Sequence, residues 1–285
     1  MFKKKKIKEA KTQLNEALKP SEQLQIKDNQ QEHFQEEVLL DQEHHHQVDH
    51  YHGVHHFDRY GNHDDVQATD FSLKKQFSHS RKSEIFRISI AAIILALSIG
   101  LSALDGLLEK FQVNIGGVII EMRVFDILII ILAIPLTGLW YSMLIAMVEP
   151  WFHFLIDGDH SPIQIGFDSL GYLIAVLMFF FIFYGLFHNS PFHESPNKHQ
   201  RRLKMWLPGL IIVPSLAVIF TLIFVLSLYL TFKSGYQNTN WNDFKKDGIG
   251  IFFAAFGIQA ARFLVFYLVF ALVQKKLKPI NHRYR

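Results

Sequence analysis

Polar and apolar positions along this chain segregate on a scale much longer than one helix face. From about residue 84 onward, uncharged apolar runs follow one another with short charged interruptions. Ile88 to Leu104 is uncharged throughout and is bounded by Arg87 and Asp105. Between Asp126 and Asp157 the only charge is Glu149. Further runs cover residues 169–187, 205–232 and 248–274, the last interrupted by Arg262 alone. About 20 apolar residues in a helix cross the hydrocarbon core of a bilayer. Each run therefore predicts a transmembrane helix, and a soluble globular enzyme is excluded.

The run from Asp126 to Asp157 is too long for one ordinary crossing and short for two. It contains Pro135-Leu136-Thr137-Gly138, and Pro and Gly are where a helix can break into a turn. A break there predicts an all-α integral membrane protein with six transmembrane helices, at about 86–106, 124–136, 138–156, 168–188, 206–232 and 248–274. Positive charge supports six over five, because Lys and Arg concentrate in short cytoplasmic loops. With six spans, the loop bearing Lys198, Arg201, Arg202 and Lys204 shares the cytoplasmic side with Arg81, Lys82 and Arg87. So does the tail bearing Lys275, Lys276, Lys278, Arg283 and Arg285. Five spans would put the four-charge loop outside and the loop 157–167, which has no Lys or Arg, inside. Both termini are thus expected in the cytoplasm, in a multi-pass protein of a bacterial plasma membrane. Nothing at the N-terminus reads as a secretory signal, since Lys3 to Lys6 lead into Ile7-Lys8-Glu9-Ala10 with no apolar segment following.

Composition divides the chain at the same place. Residues 1–83 hold 13 Lys/Arg and 14 Asp/Glu, and residues 84–285 hold 16 and 12. The first part predicts a mostly disordered cytoplasmic arm, 1–83, ahead of a membrane domain, 84–278, and a basic tail, 279–285. Within the arm, His44, His45, His46, His50, His52, His55, His56 and His63 form a histidine tract. Such a tract can buffer zinc, copper or nickel, or can be a polar low-complexity spacer with incidental metal affinity. The chain has no cysteine, which removes disulfides, Cys-ligated zinc, iron–sulfur clusters and thiol catalysis.

Ionisable residues at the edges of membrane spans are expensive and tend to mark function. In the six-span arrangement Glu121, Arg123, Asp126, Glu149, His153, Asp157 and Asp168 all fall near the outer face, as do Trp241 and Asp243 before the last span. An outward-facing pocket is the simple expectation, with interfacial caps and solvated loop charges as the plainer alternative. Glu149, His153 and Asp157 recur at i, i+4, i+8, a spacing that would suit a divalent cation, although Pro150 disturbs the register. Gln259 and Arg262 share a face of the last span, and a guanidinium at that depth is expected to point into the bundle. Ala92, Ala96, Gly100 and Ala103 form a small-residue stripe on the first span, suited either to close approach of another helix or to packing within the chain. No phosphate-binding loop, nucleophile elbow or zinc-protease motif is present.

Two segments carry a resemblance. Arg87 through Ser98, and Glu121-Met-Arg-Val-Phe-Asp through Pro135-Leu-Thr-Gly-Leu-Trp, resemble the substrate-binding S component of energy-coupling factor (ECF) vitamin transporters. The likeness covers roughly residues 84–278. It implies six spans, cytoplasmic termini and docking through Ala92 and Ala96, which match that family's A-x-x-x-A, on a transmembrane coupling subunit served by two ATPase subunits. Ser161-Pro-Ile-Gln-Ile-Gly-Phe-Asp-Ser-Leu, Phe224 through Phe232 and Ala255-Phe-Gly-Ile-Gln are most similar to the riboflavin-type component. Where that component has an Asn, and a Lys three residues later, this chain has Gly257 and Ala260.

The expectation is a subunit, not an enzyme, that captures a vitamin, with riboflavin the leading candidate, and that needs no cofactor and binds no nucleic acid. The candidate contacts are Glu121, Arg123, Asp126, Glu149, Trp151, His153, Gln164, Asp168, Trp241, Gln259 and Arg262, the tryptophans by stacking. Ala92, Ala96 and Gly100 are the candidate docking residues. The rival expectation is a divalent-metal permease with the histidine tract as sensor and Glu149, His153 and Asp157 on the path. An intramembrane enzyme built around His153 lacks a nucleophile–base pair at a recognisable spacing.

Overall fold

A computed structural model describes residues 71–77, 81–108, 113–120, 123–157, 161–192, 198–235 and 241–283. All lie in one unit, His56–Arg285. The histidine tract, Glu121 and most of the polar arm lie outside the described residues. The elements in chain order are α1 (Leu73–Phe77), α2 (Arg81–Leu108), β1 (Val113–Ile115), β2 (Val118–Ile120), α3 (Phe125–Asp157) and α4 (Pro162–Met178). A π-helical segment (Phe179–Leu186) continues α4, followed by α5 (Lys198–Trp206), α6 (Gly209–Lys233), α7 (Trp241–Phe244) and α8 (Gly248–Arg283).

Five helical stretches are long and apolar enough to cross a membrane. One of them makes two crossings. Gly138, inside α3, has φ 75° and ψ −178°, a backbone region open essentially to glycine alone. Ser102 on α2 bonds to Glu149, and Asp105, one turn further along α2, bonds to the backbone of Asp126. A straight helix would hold residues 126 and 149 about 35 Å apart at 1.5 Å per residue. Both touch the same end of α2, so α3 doubles back at Gly138 into two halves, 125–137 and 139–157. The break leaves helix-end carbonyls without their usual N–H partners, and Asn281 Nδ2 donates to Pro135 O at 2.8 Å.

The six crossings run between two chemically distinct ends. At one end lie the β1–β2 hairpin, the end of α3, the start of α4, and α7. The hairpin pairs Val113 with Ile120 and Ile115 with Val118. Its turn uses Gly116 and Gly117, both with positive φ, as a tight two-residue turn requires. A Cβ on Gly117 would meet the Asp243 carboxyl at 3.0 Å, so the hairpin tip rests on α7. At the other end lie the start of α2, the Gly138 turn, residues 187–192, α5 and the end of α8. These are joined by Tyr141 to Glu84 at 2.6 Å, Asn189 to Lys204 O at 2.8 Å, and Asn281 to Pro191 O at 3.1 Å. Arg81, Lys82, Arg202, Lys275 and Lys276 are exposed there, and Glu84 is that end's single acid among the described residues. This is the basic end; the other is the hairpin end.

Between the ends, the interior is aromatic. Phe179, Phe183, Phe266 and Phe270 are fully buried and pack edge to face, Phe179 on Phe270 at 5.1 Å and Phe183 on Phe270 at 5.0 Å. Outward-facing positions such as Leu144, Leu155, Leu210, Ile249, Phe253 and Leu272 are exposed. An apolar exterior around a helical bundle is what a bilayer solvates, and helices satisfy their backbone polar groups internally. The chain is a multi-pass α-helical membrane protein.

Candidate functional site

A polar layer, almost wholly buried, crosses the bundle at the hairpin end, and every membrane-crossing segment contributes to it or borders it. It starts at α2. Asp105, with no exposed surface, accepts from the backbone N–H groups of Val124, Phe125 and Asp126 at 2.8–3.1 Å. These are the orphan donors of the first turn of α3, and a carboxylate among them is held by hydrogen bonds and by the positive end of the helix dipole. Asp105 thus caps a helix that starts some twenty residues later in sequence.

From that capped turn the layer passes to α4. Asp126 Oδ2 accepts from the Tyr172 hydroxyl at 2.5 Å, and both residues are buried. Arg123 Nη1 donates to Asp168 Oδ2 at 3.0 Å, with the Arg123 side chain 7% and the Asp168 side chain 26% exposed. One helical turn separates Asp168 from Tyr172, so a single face of α4 takes both residues of the α3 start. Gly171 beside them admits the Phe220 ring of α6, which a Cβ would meet at 3.1 Å. Phe220 in turn lies 4.7 Å, centroid to centroid, from Phe263 of α8.

Arg262 of α8 completes this side. Its guanidinium carbon sits 5.9 Å, 5.7 Å and 5.3 Å from the ring centroids of Phe220, Phe263 and Phe266, and cation–π attraction strengthens with desolvation. Nη1 donates to Gln259 Oε1 at 3.3 Å. Nε and Nη2 are buried with no hydrogen-bond partner among the described residues.

The second half of α3 closes the layer against α2. Glu149 has no exposed surface, and its Oε1 accepts from the Ser102 hydroxyl at 2.6 Å. Its Oε2 is buried with no hydrogen-bond partner among the described residues. His153, one turn further on, is also buried. Four carboxylates (Asp105, Asp126, Glu149, Asp168) thus share one layer with two guanidinium groups (Arg123, Arg262). Buried polar groups normally find partners, because leaving one unmade costs its full desolvation. Glu149 Oε2 can accept from a donor, and Arg262 Nε and Nη2 can donate to an acceptor.

Of the residues picked out by sequence, Arg123, Asp126, Glu149, His153, Asp168, Gln259 and Arg262 lie in this layer. Trp151 lies on the opposite face of its helix from Glu149 and His153 and is 45% exposed, so it faces the bundle's exterior. Gln164 sits in the first turn of α4, where its N–H donates to the N-cap Ser161 Oγ at 3.2 Å. Trp241 belongs to α7, stacked 5.2 Å from Phe244 and tilted against Tyr229. It forms part of the cover over the layer along with the hairpin. Among the described residues no three His, Asp or Glu side chains group so as to hold a cation, and the side chain of Asp157, the third member of the Glu149–His153–Asp157 ladder, lies outside the described residues. Ser102, Asp105 and Tyr172 were not anticipated as site residues. Ser102 and Tyr172 carry no charge, and Asp105 read as the end of a span.

The small-residue stripe faces outward. Ala92, Ala96, Gly100 and Ala103 are all exposed, and a Cβ on Gly100 would meet nothing within 4 Å. Packing of the stripe within the chain, one of the two sequence expectations, does not occur among the described residues.

No family model matches this sequence, and no solved structure matches it. It is similar to "Uncharacterized protein MG147" of Mycoplasma genitalium, at 28% identity over 156 residues, which are 50% of this chain and 40% of the relative. A second relative, "Uncharacterized protein MG147 homolog" of Mycoplasma pneumoniae, is 27% identical over 151 residues, 47% of this chain and 37% of the relative. The chain therefore matches well under half the length of either relative.

Proposed function

We propose that this protein is the substrate-capture subunit of an energy-coupling factor type importer, taking a vitamin, with riboflavin the leading candidate, from outside a bacterial plasma membrane. The observation that carries the reading is the buried polar layer with unfilled hydrogen-bonding positions on Glu149 and Arg262. The concentration of exposed Lys and Arg at the opposite end supports an orientation with that end, and both chain termini, in the cytoplasm. In that orientation the layer lies on the outer side, beneath the hairpin and α7. The exposed Ala92, Ala96, Gly100 face of α2 supports docking on a transmembrane coupling subunit, with two ATPase subunits supplying energy that this chain has no phosphate loop to extract.

The test is to purify the protein in mild detergent, denature it, and identify any released small molecule by absorbance and mass spectrometry, then titrate the emptied protein with riboflavin. A stoichiometric vitamin, or saturable flavin binding, is expected. Absence of any vitamin together with no binding of riboflavin, thiamine or folate would overturn the reading.

A further inference from the structure

We propose that α5 (Lys198–Trp206) is a binding site for the headgroup of an anionic phospholipid at the basic end of the bundle. The inference does not depend on which solute the polar layer holds. The segment reads Lys-His-Gln-Arg-Arg-Leu-Lys-Met-Trp, four cations and no acid in nine residues. Along the uncovered side, Arg202 is exposed beside Leu203 at 60%, Trp206 at 44% and Leu207 at 41%. A helix that pairs basic residues with tryptophan and leucine on an uncovered side suits the boundary between headgroups and acyl chains.

Length sets its depth. The helical stretch His199–Lys233 has 35 residues, about 52 Å at 1.5 Å per residue, against a hydrocarbon core of about 30 Å. The uncharged part is sufficient for the crossing, which leaves α5 at the level of the headgroups. The fold also fixes this segment in place. Pro208 has no N–H to offer Lys204 O, and Asn189 Nδ2 supplies the donor instead at 2.8 Å. The next carbonyl, Met205 O, accepts from the Tyr267 hydroxyl. Lys204 itself lies 5.4 Å from the Phe71 ring centroid. The helix is therefore held by its covered side while Arg202 and Trp206 stay open.

Charge complementarity selects the occupant. Glu84 is the single acid at this end among the described residues, and it already accepts from Tyr141. An anionic phosphodiester with apolar tails matches both halves of the surface, the phosphate on Arg202 and the tails along Leu203, Trp206, Leu207 and the exposed Leu210. A zwitterionic headgroup brings no net charge to that field.

The full chain would be placed in nanodiscs of phosphatidylcholine containing a minor fraction of phosphatidylglycerol, and the retained lipids measured by native mass spectrometry after release. Preferential retention of phosphatidylglycerol is expected. Arg202→Gln should weaken it roughly fivefold, the cost of one basic residue near an anionic surface. R201Q/R202Q should weaken it further, and R202K should keep it. K275Q/K276Q, which removes two exposed cations outside α5, should leave it unchanged. Melting in pure phosphatidylcholine checks that the variants fold. Equal retention of both lipids by the wild-type protein would overturn the proposal, as would an equal loss in K275Q/K276Q, which would indicate a diffuse field. Displacement by soluble glycerol phosphate would assign the site to a free phosphate and would also overturn it. So would loss of a co-purifying protein subunit in R202Q with lipid retention unaltered.

Discussion

Ser102 on the first crossing and Glu149 on the third meet through a 2.6 Å hydrogen bond, fully buried, at the hairpin end of the bundle. Near the basic end the same two segments meet again, where Tyr141 donates to Glu84 at 2.6 Å. Two contacts in the same order along both segments make the first and third crossings run parallel, with the second between them in sequence and antiparallel to both. At one end the carboxylate is buried in the polar layer. At the other it is partly exposed and already partnered. The first crossing is therefore tied to the polar layer at its hairpin end while its small-residue face remains uncovered.

Replacing Ser102 with Ala leaves both oxygens of Glu149 without a hydrogen-bond donor among the described residues. A buried acceptor that loses its partner costs about 1–3 kcal/mol. The melting temperature of Ser102→Ala in detergent should fall, and Ser102→Thr should recover part of the loss. An unchanged melting temperature for Ser102→Ala would show that the bond contributes nothing.

Arg123 and Asp168 give a sharper energetic test. The pair is largely buried, and removing one member of a buried pair costs about 3–5 kcal/mol because the other charge is left uncompensated. Asp168 keeps 26% side-chain exposure, so the lower part of that range is expected for Arg123→Ala. Removing both residues should cost less than the sum of the single changes, with a coupling energy of about 0.5–3 kcal/mol. Additive losses in a double-mutant cycle would mean that the pair does not act as a unit.

The crossings and their number were legible because uncharged runs are a one-dimensional signal that needs no knowledge of neighbours. The Pro135–Gly138 break was legible for the same reason, since Pro and Gly restrict or free their own backbone wherever they sit. Arg123, Asp126, Glu149 and Arg262 stood out as charges in apolar surroundings. Ser102, Tyr172 and Asn281 did not, because a hydroxyl or an amide is unremarkable until its partner 47, 46 or 146 residues away is brought to it. Asp105 was hidden in another way: its role as cap for α3 depends on the hairpin between them folding back, and three-residue strands carry almost no periodicity. The π-helical segment Phe179–Leu186 was equally invisible, since its partners lie far along the chain: Phe179 and Phe183 pack on Phe270 of α8, and Tyr184 donates to Gln274 at 2.8 Å.

Gly138 should tolerate no side chain. Its φ of 75° with ψ of −178° is disfavoured for alanine by about 1–3 kcal/mol, and the added Cβ would collide with the Arg87 guanidinium. Gly138→Ala is expected to lower the melting temperature. Combining it with Arg87→Ala should relieve the collision and leave the backbone strain, giving partial rescue relative to the sum of the two single changes. Complete rescue would mean that the strain is negligible and that contact with Arg87 alone demands glycine.

Ala96 lies on the exposed stripe of the first crossing, and on the proposed reading this surface meets the coupling subunit. A tryptophan at that position projects from the bundle without displacing a described residue, because the neighbouring Ala92, Gly100 and Ala103 are exposed as well. Ala96→Trp should therefore leave the melting temperature and the affinity for substrate within about twofold of the wild type. Close approach of another helix depends on small side chains at the contact, so the same change should abolish substrate uptake in vesicles that contain the coupling and ATPase subunits. Both quantities are measurable on one preparation, binding by titration in detergent and uptake after reconstitution. Uptake at the wild-type rate would remove the stripe from any docking role. Loss of binding as well as uptake would mean that the first crossing transmits strain to the polar layer through Ser102, and Ser102→Ala should then reproduce the binding defect.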